Sequence, residues 1–186
     1  MTDRLKVLII GGYGTFGGRL AHLLADEPRL TLMIAGRSKE KARVFCGTLP
    51  SQAETMSLGF DREGDVEAQL RAAAPDIVVD ASGPFQVYGN PYRVVTACLA
   101  LGIDYLDLAD GTQFVRGIAQ FDAPANDRGV FVLAGVSSFP VLTAAVVRQL
   151  SIGMTRVDRI AGGIAPSPYA GVGLNVIRAI ARALST

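Results

Sequence analysis

The feature that most constrains this chain is a glycine-rich junction: the apolar run Leu5–Ile10 passes through Gly11-Gly12-Tyr13-Gly14-Thr15-Phe16-Gly17 into a stretch with Leu20, Leu23 and Leu24 at helical spacing. Gly12, Gly14 and Gly17 form Gly-x-Gly-x-x-Gly. A lone match of this kind is weak. Between a strand and a helix at the head of a βαβ series it acquires a mechanism. Gly12 permits the tight turn, Gly14 lets backbone approach a pyrophosphate, and Gly17 lets helix pack on strand. The free N–H groups and partial positive charge of the helix start then hold the phosphates, with Tyr13, Thr15 and Phe16 carried on the same turn.

The rest of the chain repeats the alternation. Short runs rich in Val, Ile and Leu predict strands at Leu5–Ile10, Leu30–Ala35, Ala53–Leu58, Asp76–Asp80, Ile103–Leu108 and Gly129–Ala134. Helical stretches lie between them: Phe16–Ala25, Lys39–Thr48 behind a Ser38 cap, Arg62–Ala73 behind Asp61, and Tyr88–Leu101 with Asn90 as cap and Pro91 as first helical residue. Hydrophobic residues make up 49% and charged residues 19%, which suits a sheet buried on both faces. The expected fold is α/β, a doubly wound Rossmann-type parallel sheet in the order 3-2-1-4-5-6, with ligands at the carboxyl ends of its strands.

Composition excludes several classes of function. Lys and Arg number 18 against 17 Asp and Glu, too even for a protein that binds nucleic acid through its phosphates. The two cysteines, Cys46 and Cys98, have no Cys-x-x-Cys spacing and no neighbouring His, so neither a metal site nor a disulfide scaffold is expected. The N-terminus shows no signal-type apolar region, and no stretch reaches the roughly 18 apolar residues of a membrane span. A reduced, cytoplasmic protein without a membrane span is expected.

The identity of the nucleotide is read at the end of the second strand, where an Asp or Glu would accept a bond from the ribose 2′-hydroxyl. This chain has Gly36-Arg37-Ser38 there. An Arg fork cannot accept that bond, but it binds a 2′-phosphate bidentately, and the Ser38 hydroxyl adds a donor. NADP(H) is therefore favoured over NAD(H). Further along the same edge, Asp61 is placed to reach the adenine amino group, although it competes for a role as helix cap. Ala81, Ser82 and Gly83 are placed to line the nicotinamide ribose.

These elements together resemble the NADP-binding domain of the saccharopine dehydrogenase-like oxidoreductases. The resemblance rests on Gly11–Gly17, Ala35-Gly36-Arg37-Ser38, Ala81-Ser82-Gly83-Pro84-Phe85 with Tyr88-Gly89, the run Ala97–Leu108, and Ala134–Pro140. It covers about residues 5–150. It implies a nucleotide domain over 1–150, followed by an α/β domain that supplies dimer contacts and much of the substrate pocket. Ala109-Asp110-Gly111 stands where many relatives have a Gly-Glu pair, which leaves the substrate class open. After residue 150 a strand at Arg156–Ile164 and an amphipathic helix at Leu174–Leu184 read as the incomplete beginning of that second domain, 151–186.

Acid–base chemistry is sparse. The single His22 lies well inside the first helix, and no Tyr is followed four residues later by Lys, which disfavours short-chain dehydrogenase chemistry. The remaining candidates are Tyr88, Cys98, Tyr105, Asp107 and Asp110, none of them decisive. The expected function is an NADP(H)-dependent oxidoreductase acting on a small amino or imino acid or carbonyl compound, with homodimerisation through the second domain. The alternative is a regulator that senses NADP(H) without turnover.

Overall fold

A computed structural model describes residues 4–50, 52–137 and 141–163. The near-continuous apolar runs form a six-stranded parallel sheet: β1 Leu5–Ile10, β2 Leu30–Gly36, β3 Glu54–Gly59, β4 Ile77–Asp80, β5 Asp104–Asp107 and β6 Val132–Leu133. Its order is β3-β2-β1-β4-β5-β6, the doubly wound arrangement, with the switch point between β1 and β4. The helices are α1 Thr15–Leu24, α2 Lys39–Cys46, α3 Val66–Ala73, α4 Arg93–Leu101, α5 Thr112–Gly117, α6 Asp122–Arg128 and α7 Thr143–Leu150.

Side chains alternate between two cores, because successive strand residues point to opposite faces. Leu8, Ile10, Met33, Val78 and Tyr105 pack with Leu70 of α3 and with Val94, Val95 and Cys98 of α4. Val7, Ile9, Leu32, Ile34 and Val79 pack on the other face with Ala21 and Ala42 of α1 and α2. Each fully buried Leu or Ile contributes about 1.5–3 kcal/mol. The central strands β1 and β2 supply most of these residues, which fixes the carboxyl edge above them.

Four local expectations are corrected. The cap of α3 is Asp65, which accepts a hydrogen bond from Ala68 N at 2.9 Å; Asp61 lies four residues upstream in a loop, where it accepts from Glu63 N at 3.0 Å. Nor does Asn90 cap α4. It accepts from Tyr92 N at 3.1 Å within a turn, and the helix starts at Arg93. The strand expected at Arg156–Ile164 is not formed over 156–163, where the backbone is irregular; Ile164 and the helix expected at Leu174–Leu184 lie outside the described residues. Val157 and Ile160 are exposed there, so the apolar pattern that suggested a strand has no neighbouring strand to pair with among the described residues. β6 is also shorter than expected. Only Val132 and Leu133 pair, against Tyr105 and Leu106 of β5.

Candidate functional site

Construction of the site begins with the glycine turn. Gly12 is buried, and a Cβ there would meet Ile9 O at 2.7 Å and the Ile34 side chain at 3.1 Å. A Cβ on Gly17 would lie 2.4 Å from Gly11 O, so α1 can sit on the turn only without one. Gly14 faces outward: a Cβ there meets Gly11 O at 3.0 Å and otherwise open space. No side chain caps α1, whose first residues Thr15 and Phe16 are exposed. Unpartnered N–H groups at a helix start, approached through a bare glycine, form an anion cradle. The residue that turns the chain is Gly11, with φ +76°. It was missed by the motif reading, although it is the first glycine of the run.

Gly11 also joins the turn to the next loop. A Cβ on it would strike Ala81 O at 2.9 Å and Ser82 Cα at 3.2 Å, so the Ala81–Gly83 loop after β4 packs directly on the glycine turn. Ala81 N donates to Ile10 O at 2.9 Å. Gly83 precedes a cis peptide to Pro84.

At the end of β2 the ring of Tyr13 covers Gly36, where a Cβ would be 2.7 Å from the ring. Its hydroxyl accepts a bond from Ser38 N at 3.0 Å. Ser38 Oγ accepts from Lys41 N at 3.2 Å and so caps α2, as expected, while its hydroxyl hydrogen remains available to a ligand. Arg37 is exposed and makes no ion pair among the described residues, in contrast to Arg43, which is held by Glu40 at 2.7 Å. Asp61 is exposed beyond β3, and its backbone is fixed by both ends of the Gln69 amide. Gly12 to Gly17, Arg37, Ser38, Asp61 and Ala81 to Gly83 thus lie along one edge, at the carboxyl ends of β1 to β4.

The catalytic candidates divide by depth. Tyr105 and Cys98 are fully buried beneath the edge, out of reach of a bound substrate. Burial, aided by the Asp80 carboxylate, pushes both the Tyr105 phenol and the Cys98 thiol up from their ordinary values, so both stay neutral. Asp107 is also buried. Its Oδ1 accepts from Ala109 N at 2.9 Å and Gly135 N at 2.8 Å, tying β5 to the loop after β6. Burial raises its carboxyl despite those two donors. Among the described residues, Tyr105 OH and Asp107 Oδ2 both lack a hydrogen-bond partner. Only Tyr88, half-buried, and Asp110, exposed, reach the surface. His22 is exposed and lies edge-on to Phe45, with ring centroids 5.5 Å apart.

Two side chains that sequence reasoning missed stand at the centre of the edge. Asp80, 0% exposed, and Arg62, 5% exposed, form a buried ion pair at 3.0 Å. Asp80 carried a weak signal, as an acid ending an apolar strand. Arg62 carried none, since it read as the first residue of a helix.

Comparisons with known proteins agree with this geometry. A family model described as the saccharopine dehydrogenase NADP binding domain matches residues 7–133. A trans-acting enoyl reductase of Mycobacterium bovis is 30% identical over 139 residues, covering 72% of this chain and 33% of the relative. The trans-acting enoyl reductase of Mycobacterium leprae is 28% identical over the same length. The chain therefore spans about a third of the length of the curated relatives it matches. Among solved structures, GenD2 from gentamicin A biosynthesis in complex with NAD superposes with a TM-score of 0.52 at 20% identity, over 82% of this chain and 40% of that one. NAD+-bound xylitol dehydrogenase gives 0.52 at 17% identity, over 72% and 70%. These two likenesses show the fold. No helix among the described residues is long and apolar enough to cross a membrane.

Proposed function

The chain belongs to the saccharopine dehydrogenase NADP binding domain family, and from that premise we propose that it binds NADP(H) along the carboxyl edge of its sheet as the cofactor-binding part of an oxidoreductase. The observation that carries the reading is the pairing of an exposed, uncapped α1 start at Gly14–Phe16 with an exposed Arg37 at the end of β2. The first is a cradle for a pyrophosphate. The second is a guanidinium free to grip a 2′-phosphate, with the Ser38 hydroxyl beside it.

The nicotinamide supplies hydride chemistry when bound. The chain's own residues bind and orient: the Gly12–Gly17 turn takes the phosphates, Asp61 faces the adenine, and Ala81, Ser82 and Gly83 line the nicotinamide ribose. The substrate is an electrophilic unsaturated carbon, in an imino acid, a small carbonyl compound or, as the name of the mycobacterial relatives suggests, an enoyl group. Tyr88 is the half-buried phenol on the nicotinamide side of the edge, and its hydroxyl hydrogen is given to Ser82 O at 2.7 Å, so it orients that loop beside the reacting carbon. Residues 1–150 form the cofactor domain in this reading. The region from 151 begins a second domain that completes the substrate pocket and pairs two copies.

The test is a calorimetric titration of Arg37→Asp with NADPH and NADH. A charge-assisted phosphate contact is worth about 1.5–3 kcal/mol, so affinity for NADPH falls roughly ten- to a hundredfold, and that for NADH far less. Equal losses would remove the 2′-phosphate assignment. The alternative, a non-catalytic NADP(H) sensor, is separated by assaying the complete protein for oxidation of NADPH with imino, carbonyl and enoyl substrates.

A further inference from the structure

The buried Arg62–Asp80 pair lies outside the cofactor contacts named above, yet its bonds lead into them. Arg62 leaves the loop after β3, next to Asp61, and crosses to β4. There Nε donates to Asp80 Oδ2 at 3.1 Å and Nη2 lies 3.0 Å from the same oxygen. Nη2 also donates to Pro91 O at 2.9 Å. The other carboxylate oxygen, Asp80 Oδ1, accepts from both Ser82 N, at 3.0 Å, and Ser82 Oγ, at 2.5 Å. The guanidinium carbon lies 4.2 Å from the ring centroid of Tyr88 and 5.3 Å from that of Phe85. Tyr88 OH in turn donates to Ser82 O at 2.7 Å. Ser82 is therefore held at its amide, hydroxyl and carbonyl by two groups that both rest on Arg62.

An ion pair this deep needs a reason, since an apolar pair of similar volume would often serve stability as well or better. Arg62 Nη1 is buried with no hydrogen-bond partner among the described residues, which adds to the cost of burying the pair. We propose that Arg62 is a positioning residue that couples the adenine-side loop to the nicotinamide-side loop: it fixes Ser82 through Asp80 and Tyr88, and so sets the place of the nicotinamide half of the cofactor without touching it. The inference rests on the cofactor reading above. It assigns Arg62 an effect on the nicotinamide end of the dinucleotide, because Arg37 and Ser38 lie beyond β1 at the end of β2 and share no bond with this network among the described residues, and because the neighbouring Asp61 is held in place by the Gln69 amide and not by Arg62.

The experiment compares two probes on the same chain. Adenosine 2′,5′-bisphosphate carries only the adenine end, and NADPH carries both ends. In Arg62→Met, NADPH affinity is expected to fall about tenfold or more, the size of a lost charge-assisted anchor, and the fluorescence change of bound nicotinamide to shrink. Binding of the bisphosphate stays within about twofold. Arg62→Lys keeps the charge but loses the fork and the stack, and falls between the two. Should Arg62→Met not fold, Arg62→Met/Asp80→Asn removes both charges together, and Tyr88→Phe keeps the ring over Arg62 while dropping its bond to Ser82. Both are expected to shift NADPH alone, Tyr88→Phe by less. Equal loss of both probes, or no loss of NADPH in a folded variant, overturns the positioning role. A wild-type chain that binds neither probe overturns the cofactor reading itself.

Discussion

At the β1–β2 flank of the edge the site is shaped by what is missing from the backbone: Gly11, Gly12, Gly14 and Gly17 lack the Cβ atoms that would strike Gly11 O, Ile9 O or the Ala81–Ser82 loop. At the β4–β5 flank it is shaped by side chains, with Arg62, Asp80 and Tyr88 around Ser82 and Asp107 around Ala109 and Gly135. One flank excludes an added atom at Gly11, Gly12 and Gly17 and leaves Gly14 facing outward, and the other depends on charges removed from water. The glycines of the first kind all lie within the run Gly11–Gly17, although the atoms they clear reach as far as Ser82. The second gathers residues up to 29 positions apart.

The largest effect is expected where the backbone flank meets the ligand. Gly14→Val places a branched side chain in the mouth of the cradle, and binding of NADPH falls by about a hundredfold or more while the sheet beneath is untouched. Circular dichroism and a binding isotherm, read together, check this; a folded variant that still binds would show that the phosphates lie elsewhere.

Gly11→Ala strikes the seam between the flanks. It forces an alanine to φ +76° with its Cβ 2.9 Å from Ala81 O, at a cost of about 1–3 kcal/mol in urea unfolding. Both cofactor ends should weaken, unlike in the Arg62 variants. Unchanged stability would mean that the turn and the β4 loop move independently.

The smallest effect belongs to Asp107 and appears only against pH. Its carboxyl is raised in the fold by burial, so between the ordinary carboxylate value and the raised one the folded chain holds more protons than the unfolded chain. Stability is kept in full below that window and lost as pH rises through it. Asp107→Asn retains an acceptor for the Ala109 and Gly135 amides, and the loss should vanish. Denaturant unfolding of both proteins below and above the window checks the sign, and parallel profiles would refute it.

The contrast between the flanks also explains what could be read from the chain. The strands, the glycine turn and the Ser38 cap were legible because each is encoded within a few residues by period, spacing or cap chemistry, and the strand order followed from the alternation of strands and helices along the chain. Asp61 and Asn90 misled, since a short acid or amide serves a turn as well as a helix start, and only the real start of α3 at Asp65 decides. Arg62 was invisible: nothing in Phe60-Asp61-Arg62-Glu63 says that one cation will be drawn inward to meet an acid 18 residues away. The same holds for Tyr88, whose value as a candidate depends on the Ser82 carbonyl that it holds.

The Tyr13 ring over Gly36 has an optical consequence. The chain contains five tyrosines and no tryptophan, so its ultraviolet emission is tyrosine emission, unmasked by indole. Tyr13 stands at the adenine end of the proposed cofactor path and Tyr88 at the nicotinamide end. The long-wavelength tail of tyrosine emission overlaps the absorption of reduced nicotinamide, so a reduced dinucleotide bound along the proposed path would quench emitters at both ends of its own site, and the protein would report occupancy without a label.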